Sequence, residues 1–343
     1  MVISTLMFAQ NGSLKLFNKA ALLSGATSAR VETVESMKPI TDSIFKTLRC
    51  STTACLQTKT PLELLEAANL ATSRYKSAVS VILGPVIDNY FIEKQHFTSI
   101  RDKTFARIPL WVNTNIDEGY SFGSWRMKYF NNNAGIKGMT DLQFRSESMP
   151  FASQKDLDSL RDYYNRIAPK RLQYYNVTEL MGDYAFQCPS FDIARAFADA
   201  GLPVIKTYFT KLHVLRPYLI DRTALNSVSH GSDVPFFWQK HSILNYEEVE
   251  LSRVMVKGLL DFGKGDEKLE SSIGKTAKSG EWVRYRKNEY LMTELTCPTI
   301  RYMTDDKYFD RCNAIRQIVD KSVDERGYPK QLFPLKDGES PEH

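Results

Sequence analysis

Three short apolar runs along the chain predict buried strands. They occupy residues 19–24, 108–113 and 203–209, and each has a glycine or a proline within it or at its boundary. Short apolar runs bounded by turn residues are typical of strands that are buried on both faces. We therefore predict three strands of a buried sheet.

Helical patterns lie between and after these runs. Thr60 followed by Pro61 is a typical helix start, and residues 188–200 place apolar side chains on one face before Gly201. Residues 246–262 repeat that spacing and precede Gly263. Strands that alternate with helices predict an α/β fold with a largely parallel sheet. Three strands make a thin sheet for 343 residues.

Composition indicates a globular chain with a mildly basic surface. Hydrophobic residues make up 43% of it, and 45 basic against 40 acidic residues give a net charge of +5. Two clusters, 169–175 and 282–287, mix basic and aromatic residues as nucleic-acid sites do. Because charges of both signs are mixed throughout, we interpret both clusters as solvated faces and expect no nucleic-acid partner. No run reaches the roughly 18 apolar residues of a membrane span, so no transmembrane segment is expected.

Residues 119–123, Gly-Tyr-Ser-Phe-Gly, match the G-x-S-x-G pattern of a serine hydrolase nucleophile. Such a serine sits on a sharp turn from a strand directly into a helix, yet the preceding strand is predicted to end near residue 113. Phe122 is also bulky where that turn packs tightly. We therefore interpret Ser121 as a loop serine. Asp117 and Glu118 in the same loop are candidate acids for a catalytic triad.

Among the five histidines, His230 is the candidate general base. It lies in a polar loop before an aromatic run, where an imidazole can reach a nucleophile and a substrate. The alternative, a histidine that is merely hydrogen-bonded to a neighbour, stays open on local context. No His-x-x-x-His or Cys-x-x-Cys pair occurs, so we expect no metal site and no cofactor.

Three stretches together resemble the type-B carboxylesterase family, which includes fungal lipases and cholinesterases. They are residues 84–88, residues 106–119 ending in Asp-Glu-Gly, and His-Gly-Ser-Asp at 230–233. The resemblance implies an α/β-hydrolase fold, here its C-terminal portion with an incomplete, mostly parallel sheet flanked by helices. It also implies carboxylic esters, small or lipid, as substrates.

The resemblance also assigns residues. It implies that Glu118 is the triad acid and His230 the base, with Asp233 as a supporting partner. Cys50 and Cys55 resemble a short disulfide loop, whereas Cys188, Cys297 and Cys312 stay unassigned. Residues 260–266 resemble the closing helix of the family, and residues 282–285 its final short strand. The aromatic run after the histidine is expected to wall the substrate: Phe236, Phe237 and Trp238.

One departure from the family decides the expected activity. Residues 2–8 resemble the helix that follows the nucleophile elbow, so the elbow serine is expected before Met1, and the oxyanion loop further upstream. We expect a domain at residues 1–320 with a polar tail at 321–343, inactive as an esterase on its own. The alternative is a non-catalytic binding protein on the same scaffold. The family suggests secretion, with which two sequons, at Asn11 and Asn176, are compatible.

Overall fold

The structure is a computed structural model. It describes residues 2–26, 31–72, 84–122, 154–169, 173–212, 227–265, 282–297 and 300–321. The predicted tail therefore lies outside the described residues, apart from Lys321, which ends a helix.

A five-stranded sheet forms the centre of the described chain. Numbered in chain order with the two strands of a small second sheet, the strands are β1 (Ala20–Leu23), β2 (Glu32–Thr33), β3 (Val86–Ile87), β4 (Leu110–Asn115), β5 (Val204–Phe209), β6 (Leu291–Leu295) and β7 (Arg301–Thr304). The large sheet has the order β1-β4-β5-β6-β7, and β2 pairs with β3. The first four strands of the large sheet are parallel and β7 is antiparallel to β6. Parallel pairing places their carboxyl ends at one edge, where α/β folds carry their sites.

The three predicted strands are confirmed, with shifted ends. β4 runs to Asn115, two residues beyond its predicted end. The other four strands, β2, β3, β6 and β7, were missed. The predicted final strand at 282–285 is wrong, because that segment is irregular. Trp282 packs with one side of the core and Tyr285 with the other. The N–H of Tyr285 donates a hydrogen bond to the carbonyl of Val204 in β5 at 2.9 Å, but the segment forms no strand.

Eleven α-helices have both ends within the described residues. They are α1 (Val2–Phe8), α2 (Val34–Thr47), α3 (Thr53–Gln57), α4 (Pro61–Thr72), α5 (His96–Arg101), α6 (Gln154–Ile167), α7 (Gln173–Gly182), α8 (Cys188–Asp199), α9 (Val234–Phe237), α10 (Tyr246–Lys264) and α11 (Asp306–Lys321). A π-helical turn, Asp183–Gln187, joins α7 to α8. The last predicted helix extends to Lys264 and ends at Gly265, whose φ of 76° is left-handed.

Two hydrophobic clusters cover the two faces of the sheet. Alternate strand residues divide between them: Leu110, Val112, Val204 and Tyr208 face one cluster, and Trp111, Ile205 and Phe209 face the other. Strands buried on both faces explain why their sequences are continuous apolar runs. No helix among the described residues is long and apolar enough to cross a membrane.

Two disulfides cross-link the described chain. The structure pairs Cys50 with Cys55, as the resemblance implied. It also pairs Cys188 with Cys312, which joins α8 to the last helix, α11, across 124 residues of sequence. Cys297 is the free cysteine of the described part.

Candidate active site

The turn after β4 places Glu118 in a buried, fully bonded position. Its side chain is 1% exposed. Oε1 accepts hydrogen bonds from the Asn115 backbone N–H at 2.7 Å and from the Ser24 hydroxyl at 2.5 Å. Ser24 follows β1, so the acid is held by the carboxyl ends of two neighbouring strands. Several donors aimed at one oxygen fix the direction of the other, Oε2.

A second turn brings His230 to that free oxygen. Asp117 forms an isolated bridge with Ser229, and its carboxylate accepts the Val228 backbone N–H at 2.9 Å. Asp117 therefore joins the turn after β4 (residues 116–119, the acid turn) to the turn that holds His230 (residues 230–233, the histidine turn). Its neighbour Glu118 contacts the imidazole. Gly231 follows with a φ of 84°, a left-handed conformation that glycine adopts without strain.

His230 and Glu118 form a close pair. Nδ1 of His230 lies 2.7 Å from Oε2 of Glu118, and the imidazole side chain is 36% exposed. An ionised carboxylate only accepts, so the imidazole carries its proton on Nδ1 and leaves Nε2 as the basic nitrogen. The sequence placed these two residues 112 positions apart in one candidate triad, and the structure brings them together.

The surroundings of His230 favour its charged form. Burial lowers the pKa of His230, but the hydrogen bond and the negative charge of Glu118 outweigh it, aided by the charge of Asp233. The pKa of His230 is therefore raised above its ordinary value. An imidazole that accepts a proton readily and is held by a carboxylate is suited to general-base work.

Asp233 lies beside Glu118 in the same polar cluster. It is 2% exposed and accepts hydrogen bonds from the side-chain amides of Asn113 at 2.7 Å and Asn115 at 3.2 Å. Burial, with the negative charge of Glu118, raises the pKa of Asp233 to about 6. The side-chain amide of Asn115 thus donates hydrogen bonds to both acids.

Gly119 has a packing role that the G-x-S-x-G pattern did not predict. A Cβ at Gly119 would lie 1.8 Å from the carbonyl oxygen of Thr178 and 2.6 Å from the backbone nitrogen of Gly182. The acid turn therefore lies directly on α7. Ser121 follows in helical conformation, as do Tyr120 and Phe122, and a four-residue turn separates this segment from the end of β4. The pattern match thus falls on a turn with packing and acid-holding functions.

Two phenylalanines that sequence reasoning did not assign to the site lie against His230. The ring of Phe186 is 4.5 Å from the imidazole and the ring of Phe122 is 5.2 Å from it, measured between centroids. The two phenyl rings stack on each other at 5.4 Å. Phe186 lies in the π-helical turn, for which the sequence carries no recognised signal.

The predicted aromatic wall is corrected for Phe236. That side chain is fully buried against Phe209, with ring centroids 4.9 Å apart, so it lines no open surface. Phe237 is also buried in this cluster. Trp238 is exposed at the end of α9. Phe236 and Phe237 therefore belong to the core beneath the histidine turn, because α9 exposes its first residue, Val234, and turns its last residues inward.

A buried lysine lies close to the site. The Nζ of Lys206, in β5, donates hydrogen bonds to the hydroxyl of Thr114 at 2.9 Å and to the Thr207 carbonyl at 3.1 Å. Burial lowers the pKa of Lys206 to about 7, against the opposing charges of Glu118 and Asp305. No motif in the sequence singles out Lys206.

The remaining candidate features lie elsewhere. His96 is buried and stacks on Phe8, and His241 lies in a 3-10 turn, whereas His213 and His343 lie outside the described residues. The described chain holds no group of three or more histidines, cysteines or acids able to bind a metal ion.

Three aromatic rings of the two basic and aromatic clusters are buried. Tyr174 is 4% exposed, Tyr285 is 1% exposed and Trp282 is 9% exposed. Aromatic side chains that bind single-stranded nucleic acid must present a free face for stacking, and these side chains are part of the core.

Comparison with known proteins identifies a family. The model of the carboxylesterase family matches residues 1–311. Among solved structures, the chain is similar to a PNB esterase, with a TM-score of 0.67 and 20% sequence identity. The match covers 92% of this chain and 61% of the PNB esterase chain. At that identity the solved structure supports the fold, which is that of the α/β-hydrolases.

Proposed function

We propose, from the premise that this chain belongs to the carboxylesterase family, that Glu118 and His230 are the acid and the base of an ester-hydrolysing serine triad. The observation that carries the proposal is the 2.7 Å contact between Nδ1 of His230 and Oε2 of Glu118. The family gives the reaction class, and this pair has the orientation that the reaction requires.

In the proposed mechanism, Glu118 holds the imidazole in the tautomer that carries its proton on Nδ1. The Nε2 atom of His230 takes the hydroxyl proton of the serine as that oxygen attacks the ester carbonyl. The imidazolium then donates the proton to the departing alcohol oxygen. A water molecule then attacks the acyl-enzyme, with His230 taking the water proton and returning it to the serine oxygen as the acid product leaves. Glu118 stabilises the imidazolium throughout, which fits the raised pKa of His230.

The nucleophilic serine is proposed not to be a residue of this chain. Ser121 lies in the acid turn, where Gly119 supports backbone packing against α7. The hydroxyl of Ser24 donates a hydrogen bond to Glu118 and is thereby engaged with the acid. The chain spans 61% of the solved PNB esterase that it matches. By itself, this chain is therefore proposed to hydrolyse no ester.

The proposed substrates are carboxylic esters of small molecules or lipids, as the family implies. Asp233 is proposed to support Glu118 through their shared partner Asn115. The two disulfides support maturation in an oxidising compartment, where such bonds persist.

Turnover of p-nitrophenyl butyrate by the purified chain tests the proposed division of the triad. The expected result is a rate that does not differ between the native chain, H230A and the control H241A, which changes a histidine outside the site. Turnover by the native chain that H230A abolishes and H241A preserves would contradict it, because it would place a working nucleophile within this chain.

A further inference from the structure

The π-helical turn Asp183–Gln187 interrupts a long helix beside the site without breaking it. Gly182 before the turn and Cys188 after it both have helical backbone angles, with φ of −63° and −62°. A π-helical turn inserts one extra residue into an α-helix, and such insertions occur often at functional sites. The extra residue rotates the side chains after it relative to those of α7.

The last two residues of this turn reach both halves of the acid–base pair. The ring of Phe186 lies 4.5 Å from the imidazole of His230 at an interplanar angle of 36°. The side-chain amide of Gln187, 2% exposed, donates a hydrogen bond to the backbone carbonyl of Asn115. The N–H of Asn115 in turn donates to Glu118 at 2.7 Å. One turn therefore contacts the base directly and the acid through the strand end.

Both ends of the turn are fixed from the opposite side. Asp183 accepts hydrogen bonds from the hydroxyl of Tyr164 at 2.6 Å and from the guanidinium of Arg311 at 2.9 Å. The residue after the turn, Cys188, is bonded to Cys312. Arg311 and Cys312 are neighbours on α11, so that helix holds the turn at its start and just beyond its end.

We propose that this π-helical turn is a positioning element for the acid–base pair, in which Phe186 keeps the imidazole of His230 facing Glu118 and Gln187 keeps Asn115 in place to hold Glu118. That this positioning serves catalysis rests on the proposed function. The positioning itself is a property of the folded chain and requires no ester turnover.

The physical reason lies in the open side of the imidazole. His230 is partly exposed, so without a neighbour its ring can rotate into solvent and lose Glu118. A phenyl ring packed on the imidazole opposes that rotation. A contact of this kind shifts the equilibrium between the imidazole that faces Glu118 and the one rotated into solvent by about fivefold. The ring of Phe186 also stacks on that of Phe122, so it is held between the imidazole of His230 and the ring of Phe122.

Acylation of His230 by diethyl pyrocarbonate tests the role of Phe186. Rates are followed by mass spectrometry, at a pH above the NMR-measured titration of His230 in each variant. F186A is expected to raise the rate by about fivefold, whereas F186Y restores the native rate. F186L keeps most of the volume without the ring and serves if F186A fails to fold. It is expected to react faster than the native chain. F17A, which truncates a phenylalanine packed on the same core, leaves the rate unchanged.

Hydrogen exchange at the Asn115 amide tests the role of Gln187. Q187M keeps the side-chain length and removes the donor, so exchange at Asn115 is expected to quicken by roughly tenfold. A folded F186A or F186L chain with the native acylation rate, together with unchanged exchange in Q187M, would overturn the proposal. These readouts involve no esterase activity, so they separate a failure of positioning from a failure of the proposed function.

Discussion

The backbones of Gly119 and Gly182 pack against each other without room for a side chain between them. A Cβ added to Gly182 would lie 2.6 Å from the nitrogen of Gly119. This contact sets the acid turn against α7, and Glu118 is the residue directly before it. The glycine that suggested a nucleophile elbow in the sequence is thus explained by close packing next to the acid.

Replacement of Gly119 by alanine is expected to destabilise the fold by about 3 kcal/mol, because the new methyl group overlaps the Thr178 carbonyl. Urea unfolding measures the change. G263A is the matched control. Nothing lies within 4 Å of its added Cβ, so alanine in this helix is expected to stabilise the protein by up to about 1 kcal/mol. Equal effects at the two positions would contradict the packing role of Gly119.

The two disulfides are expected to differ in what they contribute to stability. The chain-entropy model gives about 5 kcal/mol for a loop of the size that Cys188–Cys312 closes, across 124 residues. It gives about 2 kcal/mol for Cys50–Cys55, which are five residues apart.

Paired serine substitutions at each bridge, compared by urea unfolding, measure this difference. The C188S/C312S variant is expected to lose more stability than C50S/C55S. A larger loss of stability in C50S/C55S would contradict the expected dependence on loop length.

Asp233 is expected to make stability fall as the pH rises from about 4 to about 6. Its folded pKa, about 6, is above the unfolded value of 3.8, so the folded chain binds more protons than the unfolded chain in that interval. Stability then decreases with rising pH and is level above the folded pKa. A shift of this size corresponds to about 3 kcal/mol.

The difference between the native chain and D233N isolates this contribution, because asparagine keeps an acceptor for Asn113 but does not ionise. Unfolding free energies from pH 4 to pH 7 are expected to diverge through the interval and then run parallel. Curves that stay parallel throughout would mean that the pKa of Asp233 is ordinary.

Much of this arrangement is predictable from sequence. The apolar runs that became β1, β4 and β5 are continuous because both faces of a central parallel strand are buried, and that signal is strong. The strands β6 and β7 were missed because neither is a continuous apolar run: β6 contains Thr293 and Glu294, and in β7 all residues but the partly buried Met303 are exposed. Such an edge strand carries no core pattern to detect.

The site was predictable only in part, because some of its residues are brought together by tertiary contacts that leave no local pattern in the sequence. Glu118 and His230 were found from family motifs, which preserve the chemistry. Phe186 and Gln187 reach the site through a helix irregularity, and Lys206 lies close to it through a strand neighbour, Thr114, that is far away in sequence. No local pattern marks a π-helical turn, and no spacing predicts that Gln187 meets Asn115.

The pKa of His230 is the most direct test of the Glu118–His230 pair, measured by NMR titration of the imidazole in the native chain and in E118Q. In the native chain the pKa is expected above the ordinary value for histidine, because the charge of Glu118 outweighs burial. In E118Q only the effect of burial and the weaker charge of Asp233 stay, so the pKa is expected to fall. E32Q, which neutralises a buried glutamate on the second sheet, is expected to leave it unchanged. A His230 pKa that is the same in the native chain and in E118Q would contradict the assignment of Glu118 and His230 as acid and base.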